Sequence, residues 1–254
     1  MRVLLLGGIM EAVNCANLLQ GHLAARGHTL IYSLAGKARH PNLGCQVRVG
    51  GFGGASGLKQ YLHSDHIDLV IDATHPYAAQ MSRNAKIACA AAGVALWAYR
   101  RPPWQINRDG NWQWFTDWAQ LTQLLAHYTR PFFSIGQLPF NHLNTIPDHQ
   151  HWYIRCYRRP QHQPEIDSSH VTIIESIGPF TLEEEVHLFD SIDIDVLIAK
   201  NSGGDPVKPK LNAAGHLGIP ILMLPRPLKP EIDTLFDNVE VLVRKLMYDY
   251  RFCD

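Results

Sequence analysis

Asp195-Val196-Leu197-Ile198-Ala199-Lys200-Asn201-Ser202-Gly203-Gly204 joins an apolar run directly to a lysine and a polar, glycine-bearing turn. An unbroken apolar run followed by such a turn reads as a strand of a parallel sheet covered on both faces. In open α/β sheets the ligand crevice lies at the carboxyl ends of the strands, so Lys200, Asn201, Ser202 and Gly203 are candidate site residues. A second junction of this kind is Asp68-Leu69-Val70-Ile71-Asp72-Ala73-Thr74-His75-Pro76-Tyr77. Two polar strand ends, far apart in the chain, predict two α/β units with a ligand cleft between them.

Working outward, short apolar runs alternate with helical patterns from the first residue, the signature of a parallel sheet with helices on its faces. Strands are expected near Val3–Leu6, Thr29–Ser33, Gln46–Val49, Asp68–Asp72 and Val94–Ala98, with helices near Glu11–Ala25, Gly57–Ser64 and Ala78–Ala92. Proline and polar residues then interrupt the alternation at Arg100-Arg101-Pro102-Pro103-Trp104, which marks the interdomain connection. Beyond it, strands are expected near Phe132–Ile135, Trp152–Tyr157, Val171–Glu175, Asp195–Ala199 and Ile219–Leu224. Helices Trp118–His127, Leu182–Ser191 and Lys208–Leu217 alternate with them, and an amphipathic stretch runs from Asp233 to Tyr248. The expected domains are residues 1–100 and 101–254, five strands in each, with the last helix free to pack back on the first domain.

At 254 residues the chain can bury an ample core, and 46% hydrophobic with 18% charged residues is a globular composition. Its 23 basic and 23 acidic side chains cancel, which argues against general attraction to nucleic acid or to an anionic membrane. An anionic ligand must therefore meet a local cluster of cations. The five cysteines are scattered without a Cys-x-x-Cys pair, which fits reduced thiols and a cytoplasmic location. No apolar run reaches the length of a membrane span, and the Val3–Gly8 run is short for a signal segment. The 14 histidines are dispersed, and no metal site is inferred from them.

The first strand ends in Gly7-Gly8, a turn that lets backbone N–H groups and a helix N-terminus approach a phosphate without Cβ obstruction. The full Gly-x-Gly-x-x-Gly fingerprint is absent, Glu11 opposes an anion placed close to it, and a plain tight turn is an equal reading. After the second strand, residues 33–39 hold Ser33, Lys37 and Arg39 and no acid. A dinucleotide site with an acid at this point takes NAD, whereas a cation suits the 2′-phosphate of NADP, so NADP is preferred if a dinucleotide binds. Solvated loop charges are the plainer reading of Lys37 and Arg39. Four glycines in Gly50-Gly51-Phe52-Gly53-Gly54 allow close backbone approach, and the embedded Phe52 favours an ordered loop over a mobile connection.

The Asp72–Tyr77 turn gathers a carboxylate, a hydroxyl and an imidazole at a strand end, with turn capping and ligand positioning as even alternatives. No nucleophile elbow, Walker lysine loop or zinc signature occurs, which demotes covalent hydrolysis and phosphoryl transfer. Cations concentrate in the second half as Arg155, Arg158, Arg159, Lys200, Lys208, Lys210 and Arg226. Those at strand ends are the better candidates for carboxylates, and some of the remainder pair with Glu183–Glu185 or Asp205.

In order and spacing, Leu4–Gly8, Ser33–Lys37, Gly50–Gly54, Asp72–Ala78, Arg101–Trp104, Gly178–Phe180, Lys200–Gly204, Lys210-Leu211 and Arg226-Pro227 resemble the precorrin-6A reductase family of corrin biosynthesis, including its cobalt-substrate form. The resemblance covers nearly the whole chain. It implies two Rossmann-like domains with NADPH and a tetrapyrrole between them, and hydride transfer to a carbon–carbon double bond of the macrocycle. On that reading Gly7, Gly8, Ser33, Lys37, Gly51, Phe52 and Gly53 hold NADPH, and Asp72, Thr74 and His75 sit at the reacting end with His75 as proton donor. Lys200, Asn201, Ser202, Gly203, Gly204 and Arg226 meet the substrate. Ile9 stands where the family commonly has threonine, Lys37 where arginine is usual, and Gln137 where a cation is expected. A monomer is compatible with the sequence. The rival readings are a two-domain nucleotide-sugar transferase, which would more often place an acid after the second strand, and a non-enzymatic NADP- or tetrapyrrole-binding protein.

Overall fold

A computed structural model describes residues 1–36, 41–105, 111–160 and 169–250. The chain divides into two compact units, one made of Met1–Pro102 with Pro227–Asp254 and the other of Pro103–Arg226. The segment after Arg226 thus belongs with the N-terminal residues.

In the first unit, strands β1 (Arg2–Leu6), β2 (Thr29–Leu34), β3 (Gln46–Val49), β4 (Leu69–Asp72) and β5 (Ala95–Tyr99) alternate with helices α1 (Met10–Ala24), α2 (Gly54–Ser64) and α3 (Ala79–Ala92). The second unit contains β6 (Trp112–Trp114), α4 (Trp118–Leu125), β7 (Pro131–Ser134), β8 (Trp152–Cys156), β9 (Val171–Glu175), α5 (Leu182–Ser191), β10 (Val196–Lys200), α6 (Pro209–His216) and β11 (Ile221–Leu224). Strand β12 (Thr234–Phe236) and helix α7 (Val239–Asp249) follow and complete the first unit. Short 3-10 helices cover Leu138–Thr145 and Asp205–Val207.

Both sheets have six strands, and every pairing is parallel. Their orders are β3-β2-β1-β4-β5-β12 and β9-β8-β7-β10-β11-β6. Each therefore winds outward in two directions from a central pair, β1/β4 or β7/β10, as in doubly wound dinucleotide-binding sheets.

Burial explains the sequence pattern. Val3 and Leu5 of β1 join a core with Leu19 and Leu23 of α1 and Leu242 and Leu246 of α7. Leu4 and Leu6, one residue out of phase, join the opposite core with Leu58 and Leu62 of α2 and Ala85 and Ala88 of α3. Because successive side chains point to opposite faces, a strand covered on both sides must be apolar throughout. The second sheet repeats this. Phe133, Ile154 and Ile198 face Leu121 and Leu125 of α4, whereas Phe132, Leu197 and Ala199 face Phe189 of α5 and Ala213 and Ala214 of α6. Each fully buried leucine or phenylalanine contributes about 2 kcal/mol of hydrophobic stabilisation.

Six strands per sheet, not five, is a correction to the sequence expectation. The additional strands β6 and β12 are three residues long and partly exposed at the sheet edges, so neither shows an apolar run. β12 lies where the last helix was expected to begin. That helix starts later because Asn238 caps it, its side-chain oxygen accepting the Val241 N–H at 2.9 Å.

Candidate functional site

The turns that follow β1 and β4 adjoin the central pair of the first sheet, where a doubly wound sheet opens a crevice. Ladder bonds run past the strand ends and fix these turns: the Gly7 N–H donates to the Ser33 carbonyl at 2.9 Å, Ala73 N–H to Leu6 at 3.0 Å and Gly50 N–H to Leu34 at 2.9 Å. Between the turns lies a cavity of about 790 Å³, within the first unit. It has the size of a ligand pocket. Gly7, Gly8, Ser33, Gly51, Phe52, Thr74 and His75 line it, so two separately chosen sets of candidates meet on one space. Gly53 is the left-handed residue that starts α2, at φ 80°. Lys37 and Arg39 lie outside the described residues.

Tyr32, not singled out by the sequence, also lines this cavity. Its ring is buried, and a Cβ on Gly7 would lie 2.3 Å from its Cζ and Oη. Only glycine fits there. Burial pushes the Tyr32 hydroxyl up to about 12, against the opposing effect of its hydrogen bond with the Gly8 backbone. The phenol stays protonated at neutral pH.

The cavity also meets the start of α1. Its N-cap, Ile9, is extended and supplies no side-chain acceptor. Uncapped N–H groups and the positive end of the helix dipole favour an anion at this point. Glu11 does not oppose one, because Arg101 stands 3.2 Å and 3.3 Å from its two carboxylate oxygens.

Asp72 stands behind the cavity. Its carboxylate is fully buried and accepts the Thr74 N–H at 3.1 Å, the Thr74 hydroxyl at 2.6 Å and Arg100 Nη2 at 2.6 Å. Burial acts to raise its pKa, but Arg100, then Lys229, Ser82 and Thr74 outweigh burial and hold it below the usual carboxylate value. The residue is an ionised anchor for the turn. Lys229, in the returning segment, donates to the Thr74 hydroxyl at 3.0 Å and approaches its carbonyl at 3.4 Å. His75 Nδ1 accepts the Tyr77 N–H at 3.2 Å, which places the proton of the neutral ring on Nε2.

In the second unit the corresponding turns follow β7 and β10. Gly136, Gly203 and Gly204 adopt positive φ, at 75°, 67° and 83°. Lys200 ends β10 with its ammonium beside Gly136, and burial lowers its pKa. Lys210, from the first turn of α6, donates to Ser134 Oγ at 3.0 Å. The Asn201 side chain holds Trp104, accepting its N–H at 2.9 Å and donating to its carbonyl at 3.1 Å. Arg226 donates to the carbonyls of Asn201 at 2.8 Å and Ser202 at 3.0 Å, so it shapes the turn. Arg155, a candidate for substrate carboxylates by its strand-end position, instead forms a buried two-pronged pair with Glu185, both bonds 2.9 Å. Arg159 pairs with Glu175 at 2.8 Å on the surface.

Two doubly wound parallel sheets, each with glycine-bearing turns beside its central strand pair, define a two-domain protein of the Rossmann-like class. Comparison with known proteins makes this particular: residues 2–247 match the family model described as precorrin-6x reductase CbiJ/CobK, and the chain belongs to that family. A precorrin-6A reductase of Rhodococcus erythropolis is 39% identical over 242 residues, covering 94% of each chain. One from Rhodobacter capsulatus is 37% identical over 234 residues, covering 91% of this chain and 90% of that one. The solved structure of a CobK precorrin-6A reductase superposes with a TM-score of 0.85 at 34% identity, covering 98% of this chain and 97% of that one.

Among the described residues, no helix is long and apolar enough to cross a membrane, and no group of three or more His, Cys, Asp or Glu is gathered to hold a metal ion.

Proposed function

We propose that the chain reduces a double bond of precorrin-6A with NADPH, giving precorrin-6B in cobalamin biosynthesis. The match to the reductase family over residues 2–247 carries this reading. The cavity of the first unit supports it physically. Its glycine turn, the uncapped start of α1 and the neutralised Glu11 suit a pyrophosphate; in sequence, the stretch 33–39 after the second strand holds bases and no acid, as an NADP site requires. That lack of an acid also counts against the nucleotide-sugar transferase reading.

When bound, NADPH supplies the hydride. The residues of this chain hold and orient. Gly7, Gly8 and Ser33 line one wall, Gly51 and Phe52 another, and the Thr74–His75 turn closes the end that we assign to the reacting groups. Because the Thr74 hydroxyl is already engaged by Asp72 and Lys229, we give Thr74 a backbone role and leave the proton to His75 Nε2. Positioning supplies much of the rate enhancement when the acceptor is a delocalised, electron-poor macrocycle. In the second unit we assign Lys200 and the 201–204 turn to the substrate carboxylates, with Asn201 and Arg226 fixing the shape of that turn. We place the reaction in the cytoplasm, in keeping with free thiols at Cys15, Cys45, Cys89 and Cys156.

The test is anaerobic incubation of the protein with NADPH and precorrin-6A, following nicotinamide absorbance and the macrocycle spectrum together, with NADH and the cobalt macrocycle as parallel arms. Stoichiometric loss of NADPH with macrocycle reduction is expected. Binding of both ligands without consumption would instead identify a carrier. A His75→Ala variant with full turnover would remove His75 as the proton donor.

A further inference from the structure

The Gly50–Gly54 loop presents a physical problem. Gly50, Gly53 and Gly54 have φ of 110°, 80° and 82°, and such residues lose the most conformational freedom on ordering. Yet Gly50, Gly51 and Phe52 form a wall of the cavity. Arg48, at the end of β3, resolves this. Its Nη1 donates to the Gly50 carbonyl at 2.6 Å and its Nη2 to the Gly51 carbonyl at 3.0 Å. The guanidinium carbon sits 3.7 Å from the centre of the Phe52 ring and 5.0 Å from that of Tyr61. Behind the loop, a Cβ on Gly57 would lie 1.8 Å from the Phe52 carbonyl oxygen, so the first turn of α2 admits the loop only with glycine there.

We propose that Arg48 is a positioning residue for the cofactor: with Gly57 behind, it clamps the Gly50–Phe52 turn into a ready-made wall of the dinucleotide cavity. This rests on the reading of that cavity as the NADPH site. The fork of a guanidinium meets two adjacent carbonyls and stacks on a ring at once, whereas the ammonium of lysine does neither in that combination. Without the clamp, the loop must be ordered when the cofactor arrives, and the entropy of ordering is subtracted from affinity.

The experiment measures NADPH binding by fluorescence titration and steady-state kinetics for the full chain and for Arg48→Lys, Arg48→Met and Gly57→Ala. Each variant is expected to raise the NADPH Kd and KM by about 10-fold or more, with a much smaller change in kcat at saturating NADPH and in KM for the macrocycle. Arg48→Lys should do little better than Arg48→Met, because the fork, not the charge, is required. Wild-type affinity in both Arg48 variants overturns the proposal. So does a lower kcat and thermal midpoint together with a raised macrocycle KM in all three variants, which would make the clamp a general stabiliser. A wild-type chain with no affinity for NADPH would instead sink the reading of the cavity. Should the Arg48 variants fail to fold, Gly57→Ala decides, since it displaces the same turn without touching a charge.

Discussion

Lys229 Nζ lies 3.0 Å from Thr74 Oγ1, so the segment that returns to the first unit grips the turn carrying His75. The outgoing segment grips the same turn, since Arg100 meets Asp72 at 2.6 Å and Asp72 accepts from Thr74. Two segments of the first unit that are far apart in the chain, at Arg100 and at Lys229, thus meet on one short stretch of its sheet's rim.

Replacing Lys229 by methionine removes a charged donor while keeping the apolar stem. We expect a loss of about 1.5–3 kcal/mol, the usual scale for a hydrogen bond to a charged group. Turnover should fall about 10-fold, the result of ~1.4 kcal/mol less transition-state stabilisation as the turn loosens. Lys229→Arg should recover part of both. Thermal melting and kcat measured side by side decide the matter, and a methionine variant that turns over normally would detach Lys229 from the chemistry.

Asp72 gives a pH dependence with a definite sign. Its carboxyl is held below its ordinary value of 3.8, because Arg100 and its other partners outweigh burial. A depressed carboxyl contributes stability that is present above the unfolded pKa and is lost as pH falls toward the folded one. Asp72→Asn should therefore lose about 3–5 kcal/mol near neutrality, where Arg100 is left without its buried partner. Its stability should also decline less than that of the wild type below about pH 4. Superimposable acid limbs in denaturation curves of the two proteins would assign the acid sensitivity to other carboxylates.

What the sequence revealed followed from burial. Strands with both faces covered, such as β1, β4 and β10, are apolar except for one terminal residue, Arg2, Asp72 or Lys200, and polar or glycine-bearing turns mark their carboxyl ends. β12 could not be found this way. Its place depends on pairing Leu235 with Ala98, a contact across most of the chain, and Leu235 itself is exposed. The same holds in the site. Gly7, Gly51 and the 72–77 turn were legible because backbone geometry restricts residue type, whereas Tyr32, Arg48 and Lys229 act through partners distant in the chain or through a loop conformation that single residues do not announce. Arg155 illustrates the converse error. A strand-end arginine looked available for a ligand, but Glu185 on α5 meets it with both oxygens.

That pair makes a separate prediction. Glu185→Gln leaves a buried guanidinium uncompensated and should cost about 3–5 kcal/mol, whereas Arg155→Met combined with Glu185→Leu should fold with near wild-type stability. The double variant should keep its KM for the macrocycle. An increase of about 10-fold, or ~1.4 kcal/mol of lost binding, would restore Arg155 to the list of substrate contacts.

Gly7 offers the sharpest steric test. A methyl group there would collide with the Tyr32 ring at 2.3 Å, and Tyr32 is only 1% exposed, so the ring must be displaced toward the cavity it lines. Gly7→Ala should destabilise the first unit by about 1–3 kcal/mol, the scale of overpacking in a close-packed core. It should also weaken NADPH binding, because the displaced ring lines the cavity. Tyr32→Phe should give no relief, since the ring carbon Cζ is itself one of the colliding atoms. Tyr32→Leu shortens the side chain, so the Gly7→Ala, Tyr32→Leu double variant should be more stable than the sum of the two single changes. Strict additivity in a double-mutant cycle of melting free energies would mean that the two residues do not compete for the same space.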